Sequence, residues 1–266
     1  MKTTHGKKMQ AISITYGEVT ETRTGMNQNG NNLREGFTYD ELKKAKKWFK
    51  ERGFNAKLFH LNKALEGVDL DGKEAPDSYV LHVENGAKCF CDPDNMYKEQ
   101  VKLTPDKTYF DGRRKKVLNM RARYNLTFGE EAVEPDIDNK VGKQVAFEDV
   151  PETEKIRIGL EEAFGEKAAG LRAEGNYYFE PKKCGIGKHG DRERGIVICA
   201  SLGEPMLMHF EWFYRCKPRG KKVEFPKNHG DLYAMSAHAV GQNWMKSSTW
   251  QLRHAVGHDR NSRYLK

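Results

Sequence analysis

The sequence predicts an α+β chain: a small α+β module over residues 1–95, then a β-rich sandwich or jelly roll with flanking helices over 96–266. Three observations carry this. From residue 171 onward, short strand-like runs follow one another, separated by Gly, Pro and charge, the texture of sandwiches and barrels. Two earlier segments repeat apolar residues at the helical period. The chain is polar, with 37% apolar and 32% charged residues, yet 13 Phe, 11 Tyr and 4 Trp suffice to build a core.

Residues 10–19 (QAISITYGEV) alternate apolar and polar and read as a strand. Residues 20–36 are rich in Thr, Asn and Gly and read as a loop. Thr38 and Glu41 form a capping-box pattern ahead of Leu42, Ala45, Trp48 and Phe49, and Gly53 ends that helix. Lys43, Lys44, Lys46, Lys47 and Lys50 give it a basic outer face, more in keeping with solvation than with nucleic-acid contact. Segments 57–61 and 78–83 read as strands, with 84–86 as a turn. Segment 86–118 is mixed and ends in the basic run Arg113, Arg114, Lys115, Lys116. Residues 130–144 read as an exposed loop, and 151–164 as a helix with Ile156, Leu160 and Phe164 inward, closed at Gly165. The later strands are LRAEGNYYF, GIVICASLG, MLMHFEWFY, KVEF and DLYAMS.

The net charge is +8, which favours a polyanionic partner and is equally compatible with an enzyme that is merely basic. Cys89, Cys91, Cys184, Cys199 and Cys216 are odd in number and form no CxxC, so reduced thiols in a cytosolic or nuclear compartment are expected. The first ten residues, MKTTHGKKMQ, lack the apolar run of a signal peptide, and no stretch approaches ~18 apolar residues, so no membrane span is expected. A monomer is the simplest expectation.

The chemistry-bearing segment is GIGKHGD (185–191), which sets His189 and Asp191 two apart. On a strand such residues share a face. A more distant His would complete a two-His, one-carboxylate facial triad, which leaves positions open on iron(II). His229-Gly230-Asp231 repeats the pattern, and spacing separates the two. Beyond Asp191 there is room for four or five strands before the chain ends, and beyond Asp231 only 35 residues remain. His254, 63 residues past Asp191, is therefore the expected third ligand, and 229–231 a tight turn opening the strand LYAMS.

Further motifs follow in order. Asn176-Tyr177-Tyr178 begins 13 residues ahead of His189; Ala200-Ser201-Leu202-Gly203 comes a strand later; then come His229-Gly230-Asp231 and His254-Ala255-Val256. Together they resemble the AlkB-like 2-oxoglutarate-dependent dioxygenases across residues 171–257. The resemblance implies a double-stranded β-helix (jelly roll) with Fe(II) on His189, Asp191 and His254, and 2-oxoglutarate contacted by Asn176 and Tyr178. The family's R-x-N-L-T-F-R strand, which follows the second His, has no room here, since only 12 residues follow His254. RYNLTF (123–128) matches it upstream, with Gly129 where the family has a second arginine. Either the core is circularly permuted and Arg123 anchors the acid, or 121–130 opens a substrate lid and Arg260 or Arg263 does so.

The resemblance further implies dioxygen-dependent hydroxylation of a C–H bond, which on an N-methyl group ends in demethylation. The implied substrate is a base in DNA or RNA. Arg113, Arg114, Lys115, Lys116, Arg192, Arg194, Arg215, Lys217, Arg219, Lys221 and Lys222 are candidate phosphate contacts. Tyr177, Trp212, Phe213 and Tyr214 are candidate base-stacking residues, with core packing the competing role. Hydroxylation of a protein side chain or small molecule, or a non-catalytic nucleic-acid-binding module, are the other readings.

Overall fold

A computed structural model describes residues 9–22, 27–30, 33–70 and 72–266. The chain runs through β1 (Ala11–Gly17), β2 (Thr20–Glu21), β3 (Gln28–Asn29), α1 (Tyr39–Glu51), β4 (Ala56–His60), β5 (Tyr79–Val83) and α2 (Pro93–Gln100). It continues through β6 (Thr108–Asp111), β7 (Lys116–Asn119), β8 (Tyr124–Gly129), β9 (Gln144–Ala146), α3 (Pro151–Phe164), β10 (Arg172–Tyr178) and β11 (Ile186–His189). It closes with β12 (Ile198–Gly203), β13 (Met206–Tyr214), β14 (Lys217–Lys227), β15 (Leu232–Met235) and β16 (Gln251–Gly257). This is an α+β protein dominated by sheet.

Eight strands form one sheet in the order β4-β5-β15-β12-β1-β10-β8-β9, and four form a second in the order β11-β16-β13-β14. The alternation in β1 explains its central place. Ile12, Ile14 and Tyr16 face a core shared with Leu42, Ala45 and Phe49 of α1 and Ile156 and Leu160 of α3. On the opposite face, Ala11 joins Tyr178, Cys199, Tyr233 and Met235 against Met206, Met208, Phe210 and Trp212 of the smaller sheet. The helices thus cover one face of the large sheet, and the small sheet packs on the other.

Local chemistry sets the helix ends. The Glu41 amide donates to Thr38 Oγ1 at 3.3 Å while the Thr38 amide donates to Glu41 Oε2 at 2.7 Å, closing the expected capping box. Helix α3 starts on Pro151, where a missing N–H costs nothing, and stops at Gly165, whose φ of 81° suits glycine.

The structure departs from the sequence reading in three places. The expected division near residue 95 has no counterpart in the large sheet. Strand β1 lies between β10 and β12, and β5 pairs with β15, so N-terminal strands are built into the sheet of the later segment. The 20–36 loop contains the short β2–β3 pair, and its residues 23–26 and 31–32 lie outside the described residues, as do residues 1–8 of the N-terminus. The mixed 86–118 segment holds α2, capped by Asp92 Oδ1 on the Asp94 amide, and a β6–β7 hairpin with the basic run at its tip. Strand β8, carrying RYNLTF, lies antiparallel beside β10, which carries Asn176 and Tyr178. No helix among the described residues is long and apolar enough to cross a membrane.

Candidate metal centre and adjoining cavity

Strands β11 and β16 pair so that His189 stands opposite His254, with ring centres 4.4 Å apart. Asp191 lies just past the end of β11, where its amide donates to the Val240 carbonyl at 2.9 Å. Gly190 makes this turn possible: a Cβ there would run into the Gly241 backbone. The turn brings Asp191 Oδ1 to 3.6 Å from His189 Nε2, and Oδ2 to 3.9 Å from His254 Nε2. Ligand-type atoms of all three residues lie within 4.8 Å of one another.

The protonation states suit a cation. His189 Nδ1 faces two carbonyl oxygens, of Gly187 at 2.8 Å and His254 at 3.1 Å. Carbonyls only accept, so Nδ1 carries a proton and Nε2 is the nitrogen turned to the cluster. His254 is pushed well below the ordinary histidine range, first by burial and then by His189 and Arg194. It is therefore neutral near pH 7, the form that binds metals. Two imidazoles and one carboxylate fit a divalent first-row transition metal and leave coordination positions free.

The cluster opens on a cavity of about 780 Å³ between the sheets, lined also by Ser13, Arg123, Asn125, Glu174, Asn176, Tyr178 and Lys227. Asn176 and Tyr178 alternate on β10 and so share this face. Burial raises the Tyr178 pKa, so its hydroxyl remains a donor. Half-buried Arg123 donates from Nε to Asn176 Oδ1. A buried polar network stands behind these groups. Glu174 accepts from Arg194 at 2.7 Å, Asn125 at 3.2 Å, Asn176 at 3.4 Å and the Glu21 amide at 3.2 Å. Burial works against the Glu174 carboxylate, but Arg194 and Arg123 hold its pKa below the usual range.

The structure thus brings His189, Asp191, His254, Asn176, Tyr178 and Arg123 together. It places Arg260 elsewhere: its side chain is 80% exposed and pairs with Glu224 at 2.7 Å. Arg263 donates to the Tyr264 hydroxyl. The 229–231 segment is the expected turn. Asp231 accepts from the amides of Asn228 and Asn85 at 2.9 and 2.8 Å, and His229 Nδ1 accepts from the Gly203 amide at 3.0 Å.

Several candidate nucleic-acid contacts are interior. Arg194 is 4% exposed and spent on Glu174 and Glu193, so it cannot contact phosphate. Tyr177 lies on the helix side, its hydroxyl on Gln100 at 2.6 Å, and Trp212 donates to the Leu61 carbonyl at 3.0 Å. Tyr214 stacks on Trp250, and the Arg253 guanidinium sits 4.1 Å from the centre of the Phe213 ring. None of the four lines the cavity. Arg113, Arg114, Lys115 and Lys116 are exposed, as are Arg192, Arg215, Lys217, Lys221 and Lys222, while Arg219 is half-buried.

Sequence reasoning missed Trp244, Met245, Glu174 and Lys227. The first two line the cavity with Arg192, whose Nη1 lies 3.5 Å from Met245 Sδ. Lys227 had one usable signal: it shares strand parity with the core residue Phe225, so it had to point inward.

No family model matches the chain. The chain is 37% identical over 254 residues to the uncharacterized protein R156 of Acanthamoeba polyphaga mimivirus, and the alignment spans 94% of this chain and 97% of that protein. At that identity and coverage the chain belongs to the same family as the mimivirus protein R156.

Proposed function

We propose that the chain is an Fe(II)- and 2-oxoglutarate-dependent dioxygenase of the AlkB-like type, acting on a base in DNA or RNA. The observation that carries this reading is the convergence of His189, Asp191 and His254 at one end of a cavity walled by Asn176, Tyr178 and Arg123. Those six residues come from three separate stretches of the chain and answer to one cofactor pair. The adjacency of β8 and β10 supports the permuted arrangement, with Arg123 reaching the Asn176 strand from a segment upstream of the metal motif. Two sheets packed face to face are the frame that a double-stranded β-helix requires.

When bound, iron with 2-oxoglutarate and dioxygen supplies the hydroxylation of a C–H bond. The chain's own residues supply position and shelter. His189 and His254 present neutral nitrogens, Asp191 a charge, and the Glu174 network fixes the side chains on the cavity wall. Nucleic acid as substrate is supported by the exposed run Arg113, Arg114, Lys115 and Lys116 and by Arg192 at the rim. Half-buried Trp244 at the mouth offers the aromatic face that the four interior residues do not.

The test is succinate formation from 2-oxoglutarate by the Fe(II)-loaded protein, with panels of single- and double-stranded DNA and RNA carrying methylated bases. Turnover stimulated by an oligonucleotide and lost in Asp191→Ala is expected. Stimulation by peptides alone would move the substrate to protein, and absence of 2-oxoglutarate binding would remove the enzyme reading.

A further inference from the structure

Lys227 ends β14 opposite Met206 of β13 and is 2% exposed. Its ammonium donates to Ser13 Oγ at 2.7 Å, across the gap between the sheets. It also lies 5.3 Å from the centre of the Tyr233 ring. Among the described residues it forms no ion pair with a carboxylate. Arg194, comparably buried, shows the contrast: Glu174 and Glu193 stand 2.7 and 2.9 Å from it. Burial lowers the Lys227 pKa, against the weaker pull of Cys199 and Asp231, so an anion bound from outside the chain is the natural complement of its charged form.

The position identifies the anion's place in the cavity. Strand β14 is two strands from β16, and Lys227 faces Met206 where His254 faces Phe210, four residues further along β13. At ~4.8 Å between strands and ~3.3 Å per residue the two backbones stand on the order of 16 Å apart. The ammonium is therefore set back from the three metal-type ligands, at the far end of the space. Ser13 and Tyr178 both line the cavity. Arg123, by contrast, is half-buried and its Nε is already committed to Asn176.

We propose that Lys227, with Ser13 and Tyr178, receives the far carboxylate of a dicarboxylic 2-oxo acid, the role that the sequence motifs assign to Arg123 or Arg260. This rests on the 2-oxoglutarate reading above. Arg123 then orients Asn176.

The experiment is calorimetric titration of the Mn(II)-loaded protein, without oxygen, with 2-oxoglutarate and with 2-oxobutanoate, which lacks the far carboxylate. Wild type should prefer 2-oxoglutarate by about 10- to 100-fold, the range of a buried charge-assisted contact. Lys227→Met should reduce that preference to a few fold by weakening 2-oxoglutarate alone, and Lys227→Arg should restore much of it. Without ligand, Lys227→Met should melt no lower than wild type, because it removes an uncompensated charge. The proposal is overturned if Lys227→Met still discriminates, or if Lys227→Gln does so should the Met variant melt lower. Equal binding of both acids by wild type overturns the carboxylate receptor alone. Binding of neither refutes the 2-oxoglutarate reading and this proposal with it.

Discussion

Replacing Glu174 by Gln removes the carboxylate that meets Arg194, Asn125 and Asn176 together. The side chain keeps its shape and loses its charge. Breaking a buried ion pair by removing one partner costs about 3–5 kcal/mol. Glu193 still pairs with Arg194 at 2.9 Å, so the low end applies, about 3 kcal/mol, or a Tm lower by roughly 6–12 °C for a chain of this size. The pH dependence has a definite sign. Burial raises the Glu174 carboxyl, and the larger combined pull of Arg194 and Arg123 lowers it, so the folded value lies below the unfolded one. Its contribution is fully present above the unfolded value of about 4.3 and is lost as pH falls through the folded value. Thermal melts and urea titrations of wild type and Glu174→Gln should therefore differ by a constant gap from pH 8 to about 5 and converge below. A Tm difference under about 2 °C at pH 7, or a gap that widens on acidification, would refute the account of Glu174 as the hub of this wall.

Other outcomes follow from the same geometry. His189→Ala, Asp191→Ala and His254→Ala should each lose stoichiometric Mn(II) or Fe(II) in metal analysis while keeping the circular dichroism of wild type; His229→Ala, which loses the acceptor for the Gly203 amide and contacts with Asp94 and Tyr97, should keep its metal and melt slightly lower. Metal retained in His254→Ala would move the third ligand elsewhere. Arg123→Ala should weaken 2-oxoglutarate and 2-oxobutanoate alike by about 10-fold, by releasing Asn176; an effect confined to 2-oxoglutarate would return the far carboxylate to Arg123. Changing Arg113, Arg114, Lys115 and Lys116 to Ala should weaken oligonucleotide binding with little regard to sequence and flatten its salt dependence, each lost phosphate contact removing about 0.9 from the log–log slope on duplex DNA. An unchanged slope would exclude the β6–β7 hairpin from the interface.

Local elements were legible because local chemistry fixes them. The Thr38–Glu41 box and the period of Leu42, Ala45 and Phe49 mark α1, and Pro151 and Gly165 bracket α3, since caps and turns act within a few residues. Helix α2 was missed because eight residues, only three of them buried, leave too little periodicity to stand out. The proposed metal ligands were legible because strand parity and chain length restrict which His can meet His189. The face of each aromatic was not: Tyr177 and Tyr178 are neighbours in the chain, and alternation sends them to opposite cores.

The sequence by itself determined the α+β class, the main helices and most strands, and the residues that the structure gathers as a metal-type cluster. Only the tertiary structure decided which strands share a sheet, because backbone hydrogen bonds carry no record of sequence distance: β1 lies between β10 and β12, and β8 adjoins β10. The tertiary structure also set the charge of the cavity. Arg194 and Lys227 are both basic residues on paper, and both are buried. Arg194 found Glu174 and Glu193, whereas Lys227 donates to the Ser13 hydroxyl, lies over the Tyr233 ring and makes no ion pair among the described residues, and that difference in partners leaves one cation neutralised and the other open to a ligand.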